Sequence, residues 1–337
     1  APGFGTRFTD HMVSATWSLD KGWHDPTLGP YAPIKLDPAA ATLHYAQAIF
    51  EGLKAYRHDD GSVWAFRPEA NAARFQASAR RLALPELDVD DFVAAIDALV
   101  TADRAWVPSA PETSLYLRPF MFASEAFLGV RPAHDVTFVL IASPAGPYFA
   151  TGVAGVSIWL SSDYTRAAPG GTGAAKCAGN YAASLLAMQQ AAEHGCAQVV
   201  FLDAVERRWV EELGGMNLFF VHADGTLVTP ALTGTILEGI TRSSILTLAE
   251  EQGLTVAERR VSITEWQDGA TSGEITEVFA CGTAAVVTPV SRLAWDSGEV
   301  TIGSGEPGAV TLGLRRSLVD LQYGRVPDRH GWMHRIC

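Results

Sequence analysis

Pro169-Gly-Gly-Thr-Gly-Ala-Ala-Lys176-Cys-Ala-Gly179-Asn-Tyr181 sets one lysine in a run of small, uncharged residues. The nearest charges along the chain are Arg166 and Glu193. Upstream, residues 153–160 form a β-rich run; downstream, residues 180–194 form an Ala/Leu-rich helix closed by Gly195. Lys+Arg is 25, and only Lys21, Lys35, Lys54 and Lys176 are lysines, which leaves 21 arginines. Lysine is therefore not the routine surface cation of this chain. In apolar surroundings a lysine is pushed toward the neutral amine, because desolvation disfavours the ammonium. A neutral amine is a nucleophile that forms a Schiff base with a carbonyl. The plain alternative is a solvated loop lysine. A phosphate-cradling loop would need Gly-Lys-Ser/Thr. Ala175 precedes this lysine and Cys177 follows it, which argues against a nucleoside-triphosphate site.

Outward from this stretch, hairpins mix with helices. Residues 53–56 and 63–66 flank Asp59-Asp60-Gly61, and Asp-Gly between β-rich runs signals a hairpin. Pro68 opens an Ala/Arg-rich helix to about residue 84. A second helix is expected over about 90–105, and strands over 114–120 and 135–142. Residues 198–203 are β-rich, and 216–228 repeat the hairpin signature around Asp224-Gly225. Residues 240–252 read as an amphipathic helix stopped by Gly253. Strands at 277–280 and 284–290 and a helix near 310–323 complete the pass. There is no internal repeat. Without regular βαβ alternation, the class is α+β rather than doubly wound. The Pro- and Gly-rich stretch 143–151 marks the boundary, giving a small N-terminal domain 1–143, an interdomain loop 144–152 and a larger domain 153–337.

The 337 residues carry a formal net charge of -12, which argues against a sequence-independent nucleic-acid binder. Cys177, Cys196, Cys281 and Cys337 form no C-x-x-C pair and no zinc spacing, so no metal is expected and the compartment is expected to be reducing. The longest uncharged run, 136–162, is broken by Pro144, Gly146 and Pro147 and reads as two buried strands, not a membrane span. The sequence opens on Ala1 rather than Met, consistent with a missing N-terminal piece, and nothing present resembles a signal peptide.

Gly173 to Tyr181 closely resembles the cofactor-lysine segment of branched-chain amino-acid aminotransferases, pyridoxal phosphate enzymes of fold type IV. Further segments agree in the same order: Leu43-His-Tyr45-Ala-Gln-Ala-Ile-Phe50-Glu-Gly-Leu-Lys54, Phe66-Arg-Pro68, Leu115-Tyr116-Leu-Arg118-Pro119, Glu212-Leu-Gly-Gly-Met-Asn217-Leu-Phe219, Ile236-Leu-Glu-Gly239-Ile-Thr-Arg242 and Cys281-Gly-Thr283-Ala284. The resemblance implies a two-domain, D-amino-acid-aminotransferase-like fold. It implies Lys176 as Schiff-base lysine and proton shuttle, and Glu212, rather than Glu211, as partner of the pyridine nitrogen. A phosphate cradle of Arg74, Gly239, Ile240, Thr241 and Thr283 is implied as well, with Tyr181 at the phenolate oxygen.

By the same resemblance, the chain moves the amino group of L-leucine, L-isoleucine or L-valine to 2-oxoglutarate, giving L-glutamate by ping-pong kinetics. One pocket must then accept an aliphatic group and later a carboxylate. Tyr45, Phe50, Tyr116 and Tyr148 match its walls, and Arg118 matches the seat of the distal carboxylate. The α-carboxylate is expected at the Thr283–Ala284 turn. Leu128 and Val130 match a loop that reaches into a neighbouring subunit, which implies a cytoplasmic homodimer. A D-amino-acid aminotransferase or an aminodeoxychorismate lyase would keep Lys176 and Glu212; the aromatic and Arg118 pocket favours the branched-chain reading. Some relatives carry a redox Cys-x-x-Cys after the Gly-Thr-Ala turn. Here Ala285-Val-Val-Thr288 stands in its place, and Cys177 is read as packing.

Overall fold

A computed structural model describes residues 4–146 and 153–337. The chain divides into two compact units, one of Ala1–Tyr148, Ala175–Gly179 and Asp320–Cys337, the other of Phe149–Ala174 and Asn180–Val319.

The first unit is built on β1 (His11–Ser18), β2 (Gly22–Pro30), β3 (Ala48–Phe50), β4 (Leu53–Arg57), β5 (Val63–Phe66), β6 (Ser114–Ala123) and β7 (Asp135–Ala145). Its helices are α1 (Ala41–Tyr45), α2 (Pro68–Arg81) and α3 (Val89–Ala102). The expected hairpin forms as β4–β5, with Ala55 opposite Ala65. Pro68 starts α2, where its missing N–H costs nothing. The second helix ends at Ala102, not near 105, and Arg104–Trp106 continue as a short 3-10 turn. The β1–β2 hairpin has no counterpart in the sequence reading. Its second strand, Gly-Trp-His-Asp-Pro-Thr-Leu-Gly-Pro, is rich in residues that depress strand propensity. As the edge of the sheet it tolerates Pro26. Phe75 of α2 packs on Phe92 of α3 and Phe138 of β7, at ring-centroid distances of 5.5 and 6.0 Å. Each fully buried ring contributes about 1.5–3 kcal/mol.

The second unit holds β8 (Val156–Leu160), β9 (Gln198–Leu202), β10 (Val210–Leu213), β11 (Asn217–His222), β12 (Thr226–Thr229), β13 (Thr255–Glu258), β14 (Ile275–Gly282), β15 (Val286–Trp295) and β16 (Gly298–Thr301). Its helices are α4 (Ala178–Glu193, whose first two residues belong to the first unit), α5 (Ile240–Glu251), α6 (Ile263–Ser272) and α7 (Ala309–Gln322, whose last three residues belong to the first unit). The strand order is β10-β9-β8-β15-β14-β11-β12-β13, with β16 beside β15. β8 runs parallel to both β9 and β15, while β14 is antiparallel to β11 and β15. Trp266 of α6 lies edge-on to Phe220 of β11 at 5.1 Å. A last strand, β17 (Met333–Arg335), pairs with β5 and closes the first sheet, whose order is β17-β5-β4-β6-β7-β1-β2 with β3 beside β6. Mainly antiparallel sheets with helices packed on them agree with the α+β expectation. Among the described residues, no helix is long and apolar enough to cross a membrane. The uncharged run resolves into β7 and β8.

Candidate active site

Lys176 sits in the five-residue segment that belongs to the first unit. Cys177 makes an isolated antiparallel bridge with Ile49, and the Phe50 N–H donates to the Lys176 carbonyl at 3.0 Å. The Lys176 N–H donates to Ser78 Oγ of α2 at 2.9 Å. These contacts fix the backbone of the lysine beside β3. Its Nζ lies 4.8 Å from the Phe50 ring centroid. Burial, then the Arg74 guanidinium, pushes the Lys176 amine down to about 8, with Glu51 and Tyr116 opposing and Arg118 adding to the depression. At neutral pH a minority of it, on the order of a tenth, is the free amine, far more than for an ordinary lysine.

Arg118 lies on β6 with its guanidinium 4.8 Å from the Phe50 ring and 5.3 Å from the Tyr116 ring. Its Nη2 donates to Tyr116 Oη at 3.0 Å, and its buried Nε has no hydrogen-bond partner among the described residues. Glu51 enters the sequence reading only as part of a longer segment, yet it is fully buried and forks onto Arg74, with both bonds at 2.8 Å. Arg74 is thus held by a carboxylate before any phosphate is considered. Tyr45 Oη donates to the Leu128 carbonyl at 2.5 Å, and Leu128 and Val130 are exposed. Tyr148 lies outside the described residues. The structure thus brings Phe50, Tyr116, Arg118, Arg74 and Lys176 together, and Tyr45 with Leu128 as a separate pair.

In the second unit, Glu212 is 1% exposed on β10. Its Oε1 is 2.9 Å from Arg166 Nη1 and accepts the Leu237 N–H at 2.7 Å. Asn217 Nδ2 donates to the Leu237 carbonyl at 3.0 Å, so β10 and β11 both hold the loop that leads into α5. Gly239 is the residue before α5, and a side chain there would run into Asn217 Oδ1. The helix then presents the backbone of Ile240 and Thr241 at its positive end, a setting for an anion. The Tyr181 ring approaches Gly215 closely. Thr283 and Ala284 form the turn between β14 and β15, after Cys281, whose thiol is pushed well up by burial and faces Arg242 and Glu212. Glu211 points elsewhere: its carboxylate accepts the Thr235 hydroxyl, and burial raises its pKa. The ion pair of Arg166 with Glu212 is not legible in a single sequence, and although Asn217 lies within a quoted segment, its bond to Leu237, 20 positions on, is not legible either.

The class IV amino-transferase family matches residues 48–293. The branched-chain-amino-acid aminotransferase of Mycolicibacterium smegmatis is 59% identical over 99% of this chain and 92% of that protein. The crystal structure of the Escherichia coli branched-chain amino acid aminotransferase superposes with a TM-score of 0.81 and 29% identity, over 98% of this chain and 100% of that one. The enzyme from Thermobaculum terrenum, solved in its PLP-form, superposes with a TM-score of 0.79 and 26% identity over 98% and 99%.

Proposed function

The chain belongs to the class IV amino-transferase family, and from that premise we propose that it transfers the amino group of L-leucine, L-isoleucine or L-valine to 2-oxoglutarate. The cofactor is pyridoxal 5'-phosphate. The residues of each unit suit its groups: in the first, a lysine amine depressed to about 8 for the aldehyde; in the second, a buried carboxylate for the ring nitrogen and the N-terminus of α5 for the phosphate. When bound, the cofactor supplies a carbonyl for the substrate nitrogen and a cationic ring that accepts the electron pair released at Cα.

The protein's own groups do the rest. Lys176 Nζ would hold the resting cofactor, take the Cα proton and return it two atoms away, beyond the substrate nitrogen, at the carbon of the cofactor's aldehyde, as base and then acid. Glu212 sits at the ring nitrogen and Tyr181 at the phenolate oxygen. Arg74, Gly239, Ile240, Thr241 and Thr283 hold the phosphate. The substrate α-carboxylate rests on the Thr283–Ala284 turn. Tyr45, Phe50, Tyr116 and Tyr148 wall the side-chain pocket. Arg118 takes the distal carboxylate of 2-oxoglutarate, a role supported by its buried Nε, which has no partner among the described residues. Leu128 and Val130, exposed here, reach the pocket of a second copy, so the working form is a cytoplasmic homodimer. The domains proposed from the sequence are 1–143 and 153–337, joined by 144–152, although residues 175–179 and 320–337 belong to the first compact unit.

The observation that carries this reading is the depressed amine of Lys176 beside the Arg118 and Phe50 cluster. In the test, protein loaded with pyridoxal phosphate is mixed with one amino acid at a time and its visible absorbance followed. L-leucine bleaches it and 2-oxoglutarate restores it. Bleaching by D-alanine but not by L-leucine would move the chain to the D-amino-acid branch.

A further inference from the structure

Next to Glu212 lies a buried cation that the scheme above leaves without a task. Arg166 is 4% exposed. Its Nη1 donates to the Thr235 carbonyl at 2.8 Å, and Nη1 and Nη2 reach the Gly173 carbonyl at 3.2 and 3.3 Å. With Glu212 Oε1 at 2.9 Å, the guanidinium is pinned by two backbone carbonyls and one carboxylate. Gly173 has no room for a side chain, because a Cβ would run into the Thr235 backbone. The cation is therefore fixed in place.

A carboxylate facing a pyridine nitrogen shares one proton with it. Burial disfavours the carboxylate charge and drives that proton onto the carboxyl; an adjacent guanidinium favours the charge and drives it onto the ring. At 1% exposure the first effect is strong, so the outcome depends on the second. Two other charged groups lie nearby. Glu211 accepts the Thr235 hydroxyl with one oxygen, its other buried oxygen has no partner among the described residues, and Arg166 favours its charge too, against burial; Arg242 is committed to Glu258 at 2.6 Å and the Pro230 carbonyl at 3.0 Å. Cys281 faces both Arg242 and Glu212.

We infer that Arg166 is a positioning residue that keeps the Glu212 carboxylate ionised and aimed, so that the shared proton stays on the ring nitrogen of the bound cofactor. This rests on Glu212 being the partner of that nitrogen. What differs is the seat of one proton: the ring nitrogen with Arg166 present, the carboxyl oxygen without it.

The experiment loads wild type and variants with pyridoxal phosphate labelled with nitrogen-15 in the ring and follows the nitrogen resonance against pH. Wild type shows a protonated nitrogen at neutral pH. Arg166→Met moves the resonance toward neutral pyridine. Arg166→Lys keeps the charge but loses the fork, and releases the ring proton about one pH unit lower than wild type. A wild-type resonance in Arg166→Met overturns the inference. If that variant does not fold, the Lys variant decides, and an unshifted midpoint overturns it. A purely structural Arg166 would weaken cofactor binding without moving the nitrogen resonance. Glu212→Gln separates the two layers. If it moves the resonance and Arg166→Met does not, only the Arg166 inference falls. If Glu212→Gln leaves the resonance in place, the Glu212 reading falls with it.

Discussion

The amine of Lys176 must be neutral to take a proton and must hold it long enough to give it back. A pKa near the working pH serves both demands, and about 8 meets them. Labelling the cofactor-free protein with an amine reagent across pH should show the peptide containing Lys176 titrating with a midpoint near 8; a midpoint near the ordinary 10.5 would contradict the depressed amine. The sign of each neighbour follows from its charge. Glu51 favours the ammonium, whereas Arg74 and Arg118 disfavour it. Glu51→Gln should therefore move the midpoint lower, by roughly one unit; an unchanged or higher midpoint would contradict the part given to Glu51. Lys176→Ala should keep measurable cofactor binding and lose turnover, and normal turnover would refute its role. Arg118→Ala should slow the 2-oxoglutarate half-reaction more than the leucine half-reaction, as measured by single-turnover absorbance. Equal losses would remove its distal-carboxylate role.

At the scale of elements, the loop before α5 is held from one side by the Glu212 carboxylate and from the other by the Asn217 amide. Asn217→Ala leaves the Leu237 carbonyl without its buried donor, at a cost of about 1–3 kcal/mol. The expected result is a lower Tm and weaker cofactor binding together; an unchanged cofactor Kd would detach this loop from phosphate binding. Helices with strong local punctuation are legible in the sequence. Pro68 opens α2, and Gly195 and Gly253, with φ of +66° and +78°, follow the ends of α4 and α5. The start of α6 carries a legible signal that the sequence reading passes over: Ser262 accepts the Glu265 N–H at 3.0 Å, the Ser-x-x-Glu cap that announces a helix. β2 is not legible, because its Pro and Gly content reads as loop until a neighbouring strand makes it an edge. In the candidate site, Lys176 and Glu212 can be named from motifs, whereas Glu51 and Arg166 emerge only from the contacts they make.

At the scale of the whole molecule, the topology is long-range in both units. β17 pairs with β5, bringing Met333 opposite Phe66, and β8 pairs with β15, bringing Val156 opposite Val290. Loops of this length close at a modest entropic cost, but contacts between distant parts of a chain form slowly. On a ribosome, β5 therefore waits until residues 333–335 have been made before it gains this neighbour. Until then it presents an open row of peptide groups to any other nascent chain. Residues 333–337 act as a late seal on that strand, so a stop codon placed before residue 333 should yield insoluble aggregate even though every residue assigned to chemistry has already been synthesised.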